Sequence, residues 1–297
     1  MTSELPKRTH LVHKPVEPSN LGKALAERLD IHDDTEYTWQ LKYDGCHMIV
    51  VLRGGKGTAY SREGKEVKSC QHIVEELEQS GVQNYVFFGE AYDPFKTHAK
   101  GSGDFRRHSP SPNLLYFVFD GVPLADFEAG KCECRYKTRM DFITALVRTK
   151  EFIYSCLPHM FRPSELPTAD KLLKVLRLGG VWSLDGYVAK QLDGWWVAGA
   201  GKGGEQIKVK DHLSLDLRCV GVTEGKGKFA GMVGSLRCEY NGEIIDVGGG
   251  TLTTEERQRY WNNPDDVSPV VEVHALAGSE HGVLREPRFH RMRPDKE

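Results

Sequence analysis

The sequence predicts an α+β protein in two parts. Residues 1–212 form a larger domain of antiparallel sheets and helices, and residues 213–297 form a small β-barrel. Three observations predict this. Runs of β-branched and aromatic residues at 37–41, 48–52, 85–88 and 114–119 recur between turn signals. Helical periodicities stand between and after them, at 70–79, 135–146 and 169–178. Past residue 213 short strands dominate, with a single helix, which suits a small barrel. A chain of 297 residues is long enough for two cores.

Composition excludes more than it selects. The formal net charge is -2, so any basic surface is local. No stretch approaches the length of a membrane span, and residues 1–6 have no apolar core of a signal peptide. Seven scattered cysteines read as reduced thiols of a cytoplasmic protein, in a bacterial cell or in host cytoplasm if viral. Cys132-x-Cys134 has the wrong spacing for a zinc knuckle, and no second pair is near.

Residues 1–36 read as a proline-punctuated arm and one helix. Asn20 is its cap, and Leu21, Ala24, Leu25 and Leu29 are its apolar face. His10 and His13 in the arm read as solvated. The strand at 37–41 runs into Lys42-Tyr43-Asp44-Gly45, and Asp-Gly is a turn signal, so Lys42 sits where the strand leaves its sheet. A lysine there is held rigidly and can face a pocket. Discharged by desolvation and neighbouring cations, it is a nucleophile.

A hairpin follows through Gly54-Gly55, then Ser61-Arg62-Glu63-Gly64, then a helix with Ile73, Val74 and Leu77 inward, stopped by Gly81. The strand at 85–88 ends in Gly89-Glu90, where a carboxylate requires a cation or a metal. Lys96, His98, Lys100, Arg106, Arg107 and His108 lie in a stretch too long for an ordinary connection, which reads as a functional loop. The strand at 114–119 closes with Asp120-Gly121. The next helix opens at Arg135 and carries Met140, Ile143 and Leu146 inward. Asp185-Gly186 turns into a further strand reaching Lys190. Strict alternation in Gln206-Ile207-Lys208-Val209-Lys210 puts Lys208 and Lys210 on one strand face. In the barrel region, Leu213, Leu215 and Leu217 alternate, as do Leu236, Cys238 and Tyr240 before the turn Asn241-Gly242. Thr253-Thr254-Glu255-Glu256 is a capping box, and the end of the chain is dense in arginine.

Set in order, Lys42-x-Asp44-Gly45, Ser61-Arg62-x-Gly64, Phe88-Gly89-Glu90, Phe119-Asp120, Asp185-Gly186-x-Val188-x-Lys190, Lys208-x-Lys210 and Arg293-x-Asp295-Lys296 resemble the covalent nucleotidyltransferase superfamily. That superfamily comprises ATP-dependent DNA ligases, RNA ligases and mRNA capping enzymes. Gly225-x-Gly227-Lys228, Gly231-x-x-Gly234-x-Leu236 and Leu284-Arg285-x-Pro287-x-Phe289 look like the OB-fold domain of the DNA ligases, and the compact length looks like their minimal bacteriophage and bacterial forms.

The resemblance implies a nucleotidyltransferase (adenylation) domain followed by an OB-fold, with ATP and Mg²⁺ as cofactors. The implied partner is nicked double-stranded DNA, and the chain is a monomer that needs no membrane. Lys42 would attack the α-phosphate of ATP, and the lysyl-AMP would pass to a 5′-phosphate at a nick. The family pattern assigns Glu90 and Asp185 to the metal and Lys208 and Lys210 to the α-phosphate. Phe119 would stack on adenine, with Phe117 as the alternative. Gln40 and Leu41 would lie against the nucleotide with Lys190, and Arg62 would touch ribose or the nick phosphate. Arg293 and Lys296 would grip departing pyrophosphate. Two residues depart from the pattern: His47 replaces arginine, trading a fixed two-pronged charge for a titratable ring, and Asp185 replaces glutamate, shortening the reach to a metal. RNA joining, GTP-dependent RNA capping, and an impaired nucleic-acid-binding relative are the competing readings.

Overall fold

The computed structural model describes residues 5–21, 23–165, 184–201, 203–209, 213–276 and 284–296. The helix expected at 169–178 and Lys210 lie outside the described residues. Two compact units divide the chain, Met1–Val209 and Lys210–Glu297.

In the first unit, β1 (Tyr37–Tyr43) buries Tyr37, Trp39, Leu41 and Tyr43 on one face. Alternation leaves Thr38, Gln40 and Lys42 on the other. β2 (Cys46–Arg53) and β3 (Lys56–Ser61) form the hairpin through Gly54-Gly55. α1 (Gln71–Glu78) buries Ile73, Val74 and Leu77, and β4 (Tyr85–Tyr92) pairs with β2. The glycine after Lys42-Tyr43-Asp44 is required at this contact. A Cβ at Gly45 would lie 2.5 Å from the Ala91 carbonyl oxygen and 2.9 Å from Glu90 Cγ.

The basic stretch that follows is not the open loop its composition suggests. It contains α2 (His98–Phe105), with Phe105 anchored in the core. Lys96 is tied to Asp104 at 2.5 Å and Asp93 at 3.3 Å. Its charge is therefore answered within the stretch.

β5 (Leu115–Pro123), α3 (Leu124–Ala129), α4 (Tyr136–Lys150) and β6 (Ser155–Cys156) complete a five-stranded sheet of order β3-β2-β4-β5-β6. One face of it packs on α1 and α4 through Leu52, Phe87, Ile73 and Ile143. Each such fully buried side chain contributes roughly 1.5–3 kcal/mol. β7 (Met160–Phe161), β8 (Leu184–Gln191) and β9 (Gln206–Val209) join β1 in a four-stranded antiparallel sheet of order β9-β8-β1-β7.

The expected N-terminal helix is reduced to a 3-10 turn at Pro18–Asn20 and a single turn at Lys23–Ala26. So short a helix is marginal by itself, and the arm satisfies its backbone on sheet edges instead. His13–Lys14 pairs in parallel with Gly199–Ala200, and Val16 bridges Ile207.

In the second unit β10 (Leu213–Glu224), β11 (Val233–Tyr240), β12 (Glu243–Gly248), β13 (Val270–Leu276) and β14 (Arg285–Met292) form a closed barrel of order β10-β11-β12-β14-β13. Asn241 and Gly242 turn β11 into β12 at φ of 51° and 82°. The capping box opens α5 (Thr254–Asn262), with Glu256 N–H donating to the Thr253 hydroxyl. The arginine-rich end is not a tail but largely a barrel strand, because Phe289 anchors β14 in the core.

Candidate active site

A cleft of about 1360 Å³ opens within the first unit, between the two sheets. The four-stranded sheet lines it with Gln40, Lys42, Lys190, Gln206 and Lys208. Register explains the set: Val188 lies opposite both Gln40 and Lys208, and Lys190 lies opposite both Thr38 and Gln206, so all share one face. The five-stranded sheet contributes His47 and Glu90, which are cross-strand partners, and Phe119. Phe119 is an inserted residue. Phe88 pairs with Asp120 and Gly89 with Val118, which leaves Phe119 in a bulge.

A second bulge sets the nucleophile. Between the pairs Leu184–Tyr43 and Tyr187–Leu41, both Asp185 and Gly186 face Lys42. Gly186 takes φ 98°, a region that favours glycine. Asp185 Oδ2 accepts a hydrogen bond from Lys42 Nζ at 2.6 Å. The nearest partner of Lys42 is thus an anion, not the cations expected to discharge it. Of the cations expected there, Lys208 Nζ donates to Glu17 Oε1 at 3.2 Å and Lys210 lies outside the described residues; the neighbouring Lys190 Nζ donates to Gln206 Oε1 at 2.8 Å.

Around this pair the electrostatics are uneven. Burial pushes the Glu90 carboxyl up to about 8, against the lowering pull of Lys42. Burial pushes Lys190 down to about 8, with Asp120 opposing and Arg139 assisting. Burial, then Arg62 and Lys190, pushes His47 down to about 3, so at neutral pH it is an uncharged ring, edge-on to Phe119 at 5.3 Å. Where the resemblance puts a fixed charge, this chain puts a neutral ring whose Nδ1 is buried without a hydrogen-bond partner among the described residues.

Other expected residues divide. Phe117 stacks on Tyr43 at 4.0 Å in the core, so it is not free to hold a base, whereas Phe119 lines the cleft with Lys190 Nζ 5.0 Å from its ring centre. Leu41 buries its side chain on the opposite face and gives its N–H to the His159 carbonyl, so only its backbone borders the cleft. Arg62 lines the cleft and pairs with Glu63 at 3.1 Å. In the second unit Arg293 is held by Asp216 and Asp295, both at 2.8 Å, and Lys296 by Asp216 at 2.5 Å. Near them Glu272, His274 and His290 bring their ligating atoms within 4.8 Å of one another. The Glu272 carboxylate already accepts from Arg291 at 2.6 Å and Ser214 at 2.8 Å.

Comparison with known proteins accounts for both units. Residues 224–293 match the family model of the DNA ligase OB-like domain. The chain is 25% identical over 306 residues to DNA ligase C1 of Mycolicibacterium smegmatis, covering 96% of this chain and 82% of that one. The chain is therefore similar to a DNA ligase along nearly its whole length. Its fold is also similar to that of solved ligase structures. A structure named Pmar-Lig_PreS3 superposes with a TM-score of 0.72 at 22% identity, covering 95% of this chain and 67% of that one. A structure from an analysis of Lig E DNA ligases, described as binding DNA with a minimal scaffold, gives 0.67 at 17% identity, with 95% and 98% covered. The ATP-dependent DNA ligase of bacteriophage T7 in complex with ATP gives 0.54 at 14% identity, with 95% and 98% covered.

Three residues of the site and its surroundings were missed by sequence reading. Tyr136, buried, accepts from Gln40 Nε2. Arg139 reaches across the core to Asp120 and grips both its oxygens. His13 is not solvated but 5% exposed, lining the cleft. The only sequence signal for the first two was their place in the first turns of an amphipathic helix. His13 gave none, because its burial comes from pairing with Gly199, far along the chain.

Burial pushes His13 down to about 4 from an ordinary 6.5, with Lys190 adding to the shift. The folded protein thus favours the neutral ring. The associated stability is fully present above pH 6.5 and lost as pH falls towards 4, on the order of 3 kcal/mol for a depression of this size. Urea unfolding across that window should show a shallower acid loss for His13→Asn than for the parent chain. Equal slopes would mean that His13 titrates normally.

Proposed function

We propose that the chain is an ATP-dependent DNA ligase that seals nicks in duplex DNA through a lysyl-AMP intermediate on Lys42. The observation that carries this is one amine, paired with a carboxylate at 2.6 Å, in a cleft lined by Lys190, Lys208 and Arg62 and large enough for a nucleotide. The amine attacks the α-phosphate of ATP, forming an N–P bond as the P–O bond to pyrophosphate breaks. AMP then passes to the 5′-phosphate of a nick, and the 3′-hydroxyl displaces it.

Each step is a substitution at phosphorus, so the protein contributes positioning and charge. Asp185 orients Lys42 Nζ and is the nearest acceptor for the proton the amine must shed. Lys208, on the same sheet face, offers its ammonium to the α-phosphate once it exchanges Glu17 for that stronger anion, and Lys210 has the same role by its motif. Phe119 supplies a flat apolar face for the base beside Gln40, and Lys190 supplies positive charge from the cleft wall.

Glu90 and Asp185 suit Mg²⁺. They are hard oxygen donors, Asp185 in contact with Lys42 and Glu90 near enough to feel its charge, and Glu90 is a buried carboxyl whose ionisation is costly without a cation. Two carboxylates leave positions for water and phosphate oxygens, as Mg²⁺ prefers, and the ion would neutralise phosphate charge there. Nicked duplex DNA is the partner, met by a monomer in the cytoplasm.

The test is incubation with α-labelled ATP or GTP. Label retained from ATP and chased off by nicked DNA supports the reading; label from GTP alone favours capping. Sealing of nicked RNA in preference to DNA would favour RNA joining. Arg293→Ala should slow reaction with ATP at least about tenfold more than sealing of a pre-adenylated nick, since losing one charge-assisted contact in a transition state costs roughly that factor or more. Equal losses would contradict a role at pyrophosphate.

A further inference from the structure

An amide side chain has two unlike ends, so a glutamine that reads a base must be held the right way round. Gln40 is 2% exposed and lines the cleft on the face that carries Lys42. Its Nε2 donates to the Tyr136 hydroxyl at 2.5 Å, and that hydroxyl donates to the Phe119 carbonyl at 3.4 Å. A phenol has one proton, and burial raises the pKa of Tyr136 well above its ordinary value, so the proton stays. With that proton given to Phe119, the hydroxyl can only accept from Gln40. The NH₂ end of the amide is thereby turned inward. Oε1 is the end left over, and among the described residues no side chain donates to it.

We propose that Tyr136 is a positioning residue that orients Gln40, so that the cleft presents a hydrogen-bond acceptor to the 6-position of a purine and selects 6-amino over 6-oxo bases. The assignment rests on the reading of the cleft as the ATP site. Adenine carries an amino donor at position 6, and guanine and hypoxanthine carry a carbonyl acceptor there. A carbonyl oxygen set against Gln40 Oε1 would leave two buried acceptors facing each other with no proton between them. The same hydroxyl holds the backbone of the bulge that projects Phe119. One phenol on α4 thus sets both the polar contact and the apolar platform for the base, the first on β1 and the second on β5.

The experiment is single-turnover labelling of Lys42 in the full chain with α-labelled ATP and, separately, α-labelled inosine triphosphate. The parent chain should prefer ATP by about 10⁴-fold in kcat/KM, the range for a site built around a specific hydrogen bond. In Tyr136→Phe the amide is free to turn, and the preference should fall at least about tenfold, through a raised KM for ATP and a gain with inosine triphosphate. A general loss of stability gives no gain with either nucleotide. Gln40→Glu has acceptors at both ends, so in that background Tyr136→Phe should leave the ratio unchanged.

A ratio unchanged in the single Tyr136→Phe variant overturns the assignment. So does the same fall in the Gln40→Glu background, or a parent chain that prefers inosine triphosphate, which would mean that the amide presents its NH₂. Should Tyr136→Phe not fold, Gln40→Glu alone decides: ATP preference retained supports the acceptor, and reversal overturns it. A parent chain that takes no label from ATP sinks the nucleotidyl-transfer reading itself, a result distinct from label that forms with the wrong selectivity.

Discussion

Lys42→Ala is expected to abolish covalent labelling by ATP and overall ligation, a loss on the order of 10⁶-fold for removal of an enzyme nucleophile. The variant that separates chemistry from structure is Lys42→Arg. Asp185 Oδ2 lies 2.6 Å from Lys42 Nζ and is largely buried, so deleting the cation leaves a carboxylate without its partner. Arginine restores the positive charge, but it stays protonated and cannot attack phosphorus. Lys42→Arg should therefore unfold at nearly the parental urea concentration and still carry no AMP on a denaturing gel. Label retained by either variant would remove Lys42 as the nucleophile. A severe loss of stability in Lys42→Arg would show that the amine's place in the ion pair cannot be filled by another cation.

Asp120→Ala is expected to cost about 3–5 kcal/mol of stability, the penalty for breaking a buried ion pair from one side. Asp120 and Arg139 are each 2% exposed as side chains, and the guanidinium meets both carboxylate oxygens, at 2.8 and 3.0 Å. Arg139 also donates to the Cys134 and Gly194 carbonyls, and Asp120 accepts from the Gly121 N–H. Burial pushes the Asp120 carboxyl up, yet Arg139 holds it below the usual carboxylate range. Without Asp120 the buried guanidinium has no counter-charge, and Lys190, whose ammonium Asp120 supports, loses an ally in the cleft wall. Urea unfolding of the variant measures the effect. A change within about 1 kcal/mol would place the pair among those that a neutral contact replaces without loss.

What the sequence determined by itself was what local patterning encodes. The alternation of β1 separated Lys42 and Gln40 from the apolar face because strand geometry alternates by residue, whatever lies around it. The Gly54-Gly55 and Asn241-Gly242 turns and the Thr253 capping box depend on a few adjacent residues, and they stand where the sequence puts them. The order of the motifs, from Lys42 to Lys296, was likewise enough to reach the ligase resemblance.

Only the tertiary structure decided which groups meet. Two one-residue bulges, at Phe119 and at Asp185-Gly186, bring Phe119 to the cleft and set Asp185 on Lys42, and a bulge leaves no periodic trace in a sequence. The burial of His13, the hold of Glu17 on Lys208, the Asp120–Arg139 pair and the link from Gln40 through Tyr136 to Phe119 all join distant parts of the chain. Their energies come from desolvation and from partners supplied by the fold, and neither quantity exists until the two sheets have packed.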